Sequence, residues 1–272
     1  MSGTRRSSKR CLASLCALSL WGSASLAHAQ ERPEADAPAP ASVSESVQRA
    51  NDGGSYLPLS LTPRVEASRA LAAGFGGYDS AKQSAAMRSF AEARVYRTLA
   101  LRIGARLAEG SQSVRPSVGA RAQLLSEQQH GVAFGVALFY QAEGFTEPEG
   151  EIETTLSVGR RFGRVLLLGN LSYGQDPEGN ERDGEVSVAG LMRLAPWAHL
   201  GLDGRGRFDL GSNRRKLALT KEPTFDVDAG PVLQLALGPL AVSAHAGVSV
   251  FDRLDEQTQL GLVALAGLGT AF

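Results

Sequence analysis

Cysteine is nearly missing from this sequence: there are two in 272 residues, and both, Cys11 and Cys16, lie in the first sixteen positions. That opening segment has the layout of an export signal. Arg5, Arg6, Lys9 and Arg10 form a positive start, Cys11 to Leu26 is mostly apolar, and Ala27-His28-Ala29 is a small-x-small cleavage motif before Gln30. Neither cysteine follows the small-residue motif of a lipoprotein. A mature chain starting at Gln30 would carry no thiol, which excludes disulfides, thiolate metal sites and a cysteine nucleophile.

Long apolar runs are also missing. After residue 29 no stretch offers the ~18 consecutive apolar residues that a transmembrane helix needs. A mature chain that crosses a membrane must therefore do so as a closed sheet, because open backbone edges are not tolerated in hydrocarbon. Excess positive charge is lacking too. Removing the signal takes four of the 28 basic residues and none of the 28 acidic ones, leaving 24 against 28, a net charge of −4. That balance gives no reason to expect nucleic-acid binding. Histidine is sparse: His130, His199 and His245 are dispersed, so no metal site is expected, and no motif calls for a cofactor. The glycine-rich stretches Gly74-Phe75-Gly76-Gly77 and Gly201 to Gly206 follow no phosphate-loop pattern.

What the sequence does have is a period of two from about Val65 onward. Val132, Phe134, Val136, Leu138 and Tyr140 share one face, and Gly131, Ala133, Gly135 and Ala137 the other. Leu99, Leu101, Ile103, Ala105 and Leu107 form a stripe whose alternate neighbours include Arg102 and Arg106. Opposite Leu200, Leu202, Phe208 and Leu210 stand His199, Asp203, Arg205, Arg207 and Asp209. An apolar stripe backed by charge is natural in a barrel that is oily outside and wet inside. The fold class is all-β, a transmembrane antiparallel up-and-down barrel of about 12 strands. They are expected near 65–76, 84–96, 98–108, 116–127, 131–143, 150–161, 163–174, 184–194, 197–210, 223–236, 239–251 and 257–272. The first hairpin is ambiguous. Arg69 would fall on the lipid face of its strand and so belongs near a rim, and Ala81 to Tyr96 also suits a helix. Without those two runs about 10 strands remain.

The connections alternate. Short turns are expected near Arg97-Thr98, Gln128 to His130, Phe162, Ala195-Pro196 and Gly238-Pro239, and longer polar loops near 77–83, 109–115, 144–149, 175–183, 211–222 and 252–256. All short turns then lie at one end. This asymmetry, the export signal and the closing stripe Leu260, Leu262, Ala264, Ala266, Leu268, Thr270, Phe272 make residues 65–272 resemble the bacterial outer-membrane β-barrel proteins. The resemblance is to an architecture and not to one functional family. It implies an outer-membrane location in a Gram-negative envelope, with both termini in the periplasm and lipid and lipopolysaccharide around a monomeric barrel. It also implies recognition of Phe272 by the barrel-assembly machinery, although Leu268 and Thr270 stand where a further aromatic is often found.

Residues 30–64 differ from the barrel. Pro33, Pro38 and Pro40 among Ala, Glu and Asp predict a disordered periplasmic segment, with a plug or tether as the functional alternative.

The expected lumen lining includes Arg88, Glu92, Arg94, Arg102, Arg106 and Arg121 on early strands. Glu151, Glu153, Asp203, Arg205, Arg207, Asp209, Asp226 and Asp228 follow on later ones. Two accounts fit: charges paired across a filled interior, or a constriction with a transverse field that orients polar solutes. The expected function is a passive, porin-like channel for small polar solutes or a structural barrel of the envelope. A lipid-modifying enzyme of the outer leaflet is the alternative. Ser243 and His245 share a face, but their order is the reverse of the His-x-Ser of outer-membrane phospholipases and no acid partner is specified, so no catalytic residue is assigned. A third reading is surface adhesion or ligand binding through the loops, such as 211–222 with Arg214, Arg215, Lys216 and Lys221. Acids in other loops, Glu147, Glu149 and Glu151 among them, are read as solvated.

Overall fold

Alternating residues fold here into a single closed sheet. The computed structural model describes residues 57–65, 70–108, 114–145, 150–177, 181–212, 223–253 and 258–271. The strands are β1 (Ala70–Asp79), β2 (Ser84–Tyr96), β3 (Leu99–Ala108), β4 (Arg115–Leu125), β5 (Ala133–Ala142) and β6 (Gly150–Phe162). They continue as β7 (Val165–Gln175), β8 (Glu181–Ala195), β9 (Ala198–Ser212), β10 (Pro223–Leu237), β11 (Leu240–Arg253) and β12 (Gln259–Ala271). Each strand pairs antiparallel with the next, and β1 closes the barrel against β12 in a register from Leu71↔Ala271 to Asp79↔Val263. Closure removes the free edges that hydrocarbon would penalise.

Twelve strands are present, so the shorter count fails, and Ser84–Tyr96 is a strand despite its helix-prone composition. Backbone pairing to β1 and β3 on either side outweighs local propensity. The first strand starts at Ala70 and not near 65, and Arg69 itself lies outside the described residues. The parity that placed Arg69 against lipid belongs to Leu71, Ala73 and Phe75, which are buried on the inner face with Phe90 and Ala241. The outer face of β1 carries Ala72, Gly74, Gly76 and Tyr78 instead.

On the other strands the outer face is the apolar one. Leu101 is 50% exposed, Ile103 63% and Leu202 66%, as expected of side chains that meet lipid. Exposed aromatics collect at two levels. Tyr96, Phe162 and Trp197 sit by the short turns, while Tyr78, Tyr140, Tyr173 and Phe208 lie near the other strand ends. Two aromatic girdles around an oily band mark the two water interfaces of a membrane barrel. Among the described residues no helix is long and apolar enough to cross a membrane.

The short turns at 97–98, 163–164, 196–197 and 238–239 share one end of the barrel. A fifth connection at that end, 126–132, is longer and is tightened by a single helical turn, α1 (Glu127–His130). It stops at Gly131, whose φ of 72° is a conformation that glycine adopts without strain.

Candidate functional site: the barrel lumen

Because residues directly opposite each other in a ladder share a face, the register assigns the inner wall strand by strand. Across β2, β3 and β4 the rows Glu92↔Arg102↔Gly119, Arg94↔Ala100↔Arg121 and Arg88↔Arg106↔Arg115 point inward. Glu92 is buried, and its carboxylate accepts from Arg102 Nε at 2.8 Å and from Arg121 Nη1 at 2.8 Å. Arg102 also stacks on Phe90, its guanidinium 3.8 Å from the ring centroid. One acid thus gathers two of the early arginines.

The opposite wall is richer in acid. Arg205 on β9 lies 2.6 Å from Asp228, 3.5 Å from Asp226 and 4.0 Å from Glu185. Arg207 pairs with Asp183 and lies 3.8 Å from Glu151. Lys82, in the 80–83 connection, reaches Asp226 at 2.7 Å and Asp79 at 3.0 Å, and Asp79 accepts from Ser249 at 2.8 Å. Glu153 accepts from Thr155 at 2.8 Å, and Asp209 from the backbone N–H of Gly211 at 2.7 Å. Arg94, Arg88, Arg106 and Arg115 make no ion pair among the described residues.

Nine residues of the N-terminal segment lie inside this lumen. The segment predicted to be disordered over 30–64 differs from the structure at its C-terminal part, where residues 57–65 form a strap along the inner wall. Leu57 enters an apolar patch of Leu166, Leu168, Ala189, Leu191 and Val232 on β7, β8 and β10. Asp203 on β9 accepts from Leu59 N at 3.0 Å and from Ser60 Oγ at 2.6 Å. In the orientation that satisfies its surroundings, the Asn170 amide donates to Leu61 O at 2.8 Å and accepts from Leu61 N–H at 2.9 Å. Arg121 donates to the carbonyls of Thr62 and Arg64, Arg64 pairs with Glu127 of α1, and Val65 N donates to Gln123 at 3.2 Å.

From β9 to β4 is nearly half the circumference, and the strap covers it along the inner wall, passing Asn170 on β7 and Gly159 and Gly135 on β6 and β5 before it reaches Arg121 on β4. Twelve strands spaced ~4.8 Å and tilted ~40° give a backbone-to-backbone diameter of about 24 Å. Nine extended residues reach roughly 28 Å, enough to follow that arc on the inside of the wall. Two glycines make room. A Cβ at Gly135 would stand 2.7 Å from Pro63 O, and one at Gly159 3.0 Å from Pro63 Cγ. Most strap contacts, from Leu166 and Leu191 to Gln123 and Glu127, lie toward the short-turn end.

Toward the same short-turn end, Gln234 stands opposite both His199 and Ser243 on the inner face, and His245 lies opposite Val232. Ser243 and His245 are buried, and among the described residues neither the Ser243 Oγ nor either ring nitrogen of His245 has a hydrogen-bond partner. They are not bonded to each other, so they do not form a nucleophile–base pair. No group of three or more potential metal ligands occurs among the described residues. His130 is exposed, its ring nitrogen 3.2 Å from Ser126 O.

The sequence reading passed over Lys82, Asp79, Arg115, Asp183 and Glu185 as charged members of the lumen. Arg115 shares the parity of Arg121, and Glu185 that of Ser187 and Ala189, which was the available signal. Phe272, the basic positions of the 211–222 loop, Glu147 and Glu149 lie outside the described residues.

No protein-family model matches the chain, and no curated protein matches it in sequence. Solved structures do resemble it in shape. The NanC porin superposes with a TM-score of 0.54 at 9% identity, covering 74% of this chain and 100% of its own. The KdgM porin gives 0.49 at 10% identity, with 74% and 99% covered. An outer-membrane channel from Pseudomonas putida F1 gives 0.47 at 8% identity, with 79% and 97% covered. At such identity the likeness is one of fold, and with the lipid-facing band and the girdles it gives the architecture of a bacterial outer-membrane β-barrel.

Proposed function

We propose that the protein is a passive channel of the outer membrane for small polar solutes, narrowed by its own N-terminal strap. The observation that carries this reading is the inner wall: it is charged, and Arg88 and Arg106 on it remain accessible to water within a barrel whose outside is apolar. Arginines dominate on β2–β4 and carboxylates on β6 and β8–β10, an arrangement that imposes a transverse field on whatever occupies the bore. Arg88, Glu92, Arg94, Arg102, Arg106 and Arg121 would form one side of the path. Glu151, Glu153, Asp203, Arg205, Arg207, Asp209, Asp226 and Asp228 would form the other.

The short-turn end and both termini are assigned to the periplasm, because short turns face that side in barrels of this type. The chain acts as a monomer, and Phe272 is its handle for the barrel-assembly machinery. The strap favours a second reading, a closed barrel that stabilises the envelope, since it takes up space in the bore along nearly half of the wall.

Single-channel recording in planar bilayers separates the two. The mature chain and a variant lacking residues 30–65 are refolded, and heat-modifiable gel migration verifies each barrel. A small conductance that grows on deletion supports a strap-narrowed channel. Silence from both supports the structural barrel and overturns the channel.

A further inference from the structure

Arg88, Arg106 and Arg115 occupy directly opposite positions on β2, β3 and β4, all on the inner face and toward the end away from the short turns. Facing residues in an antiparallel ladder have Cα atoms only about 4.5–5.5 Å apart, and like charges so placed are destabilising. The other arginines near them are each ion-paired: Arg102 and Arg121 share Glu92, Arg205 pairs with Asp228, and Arg207 with Asp183. This row has no carboxylate within ion-pair distance among the described residues.

The acids on the facing wall do not supply one. Arg88 lies within electrostatic reach of Glu185, Asp203 and Glu153 as well as Arg205. Yet both oxygens of Asp203 are taken by the strap, Glu153 accepts from Thr155, and Glu185 lies beside Arg205. Arg106 is surrounded by cations: Arg205, Arg207, Arg88 and Arg115 are the charges that act on it most strongly. Arg88 and Arg106 are exposed to the lumen and Arg115 partly so, leaving their guanidinium groups open to a solute.

We propose that this row is a binding site for the oxyanion group, carboxylate or phosphate, of a small solute. The proposal deepens the channel reading and rests on it for the route by which the solute arrives. Planar guanidinium forks match two oxygens of such a group at once, and each charge-assisted bond is about twice as strong as a neutral one. The solute supplies the negative charge that the wall omits.

Isothermal titration of the mature, refolded chain with citrate, with inorganic phosphate and with uncharged glucose tests this. The expected result is binding of at least one anion and none of glucose, with the tighter anion identifying the group. Arg106→Gln is expected to weaken that binding about 10-fold or more, and Arg106→Lys by less, because it keeps the charge and loses the fork. Arg164→Gln, in a short turn at the other end of the barrel, should leave it unchanged. If neither anion binds up to the tens of millimolar, if glucose binds equally, or if Arg106→Gln and Arg88→Gln both bind as the parent does, the site is overturned. Removing like charge from the row relieves repulsion, so these variants are expected to fold, and heat-modifiable migration checks it. Bilayer recording in a potassium chloride gradient keeps the two readings apart. Binding without conductance sinks the channel and leaves the site, whereas conductance with neither anion binding nor anion preference sinks the site and leaves the channel.

Discussion

Asp203 in the wall of the barrel accepts a hydrogen bond from Ser60 Oγ at 2.6 Å, and its second oxygen accepts from Leu59 N at 3.0 Å. One buried carboxylate therefore fixes two consecutive residues of a chain that lines the bore. A carboxylate in such a place is costly unless its lone pairs are satisfied, and the strap satisfies them. Wall and strap stabilise each other, so each can be loosened from the other side.

Asp203→Ala should free the middle of the strap while leaving the sheet intact. Bonds to a charged acceptor are worth about 1.5–3 kcal/mol each. Losing them is expected to raise the open-strap population by an order of magnitude or more. Bilayer recording should show larger or more frequent openings, and limited proteolysis of the refolded protein should cut faster between residues 57 and 65. Asp203→Asn retains an acceptor and should fall between. Unchanged conductance and unchanged cleavage in Asp203→Ala would show that the strap does not depend on this contact.

Gly135→Val approaches the same strap sterically. The added Cβ would stand 2.7 Å from Pro63 O, a backbone atom that cannot rotate away. Displacing Pro63 also pulls Thr62 and Arg64 from Arg121, so the expected phenotype is again a wider channel. Combining Gly135→Val with deletion of 30–65 should bring barrel stability most of the way back to that of the deletion alone, because only the 3.1 Å approach to Ala122 O then remains. Urea unfolding followed by the fluorescence of Trp197 measures it.

Most of the barrel was legible because a strand between lipid and water carries an alternation that survives weak propensity. Leu99 to Leu107 and Leu200 to Leu210 read correctly for that reason. The first strand did not, since its outer face is Ala, Gly and Tyr while Leu71 and Phe75 point inward to pack on Phe90 and Ala241. Periodicity alone cannot tell which face of such a strand is wet. The strap was hidden differently. Leu57-Pro58-Leu59-Ser60-Leu61-Thr62-Pro63 has no charge, yet it follows an acidic, proline-rich stretch whose composition dominated the reading. Its burial depends on glycines at 135 and 159 and an acid at 203, contacts up to 144 residues away in sequence. Arg115 and Asp183 were overlooked because they stand where strands meet loops, the least certain boundaries in any such reading.

Glu92→Ala should be among the most damaging single changes in the lumen. It removes the acid that holds Arg102 and Arg121, and the Arg121 left behind is 4% exposed. Breaking a buried ion pair by removing one partner costs about 3–5 kcal/mol. The loss should appear in urea unfolding, together with release of the strap, since Arg121 also holds Thr62 and Arg64. The double change Glu92→Ala with Arg121→Ala should recover part of the loss. A double variant weaker than the sum of the singles would contradict this coupling.

Ile103→Arg tests the orientation of the wall against its neighbour. Arg102 is native, faces inward and pairs with Glu92 at 2.7 Å, whereas Ile103 is 63% exposed on the outer face near the middle of β3. An arginine one position further along therefore meets hydrocarbon, at a cost of ~2–4 kcal/mol for a residue near the bilayer midplane. In lipid vesicles the variant is expected to unfold at lower urea by that amount. In detergent, which adapts around the charge, the difference should shrink. Equal stability in vesicles would mean that Ile103 does not face lipid, and since every ladder shares one register around the closed sheet, the inner and outer faces would have to be exchanged throughout.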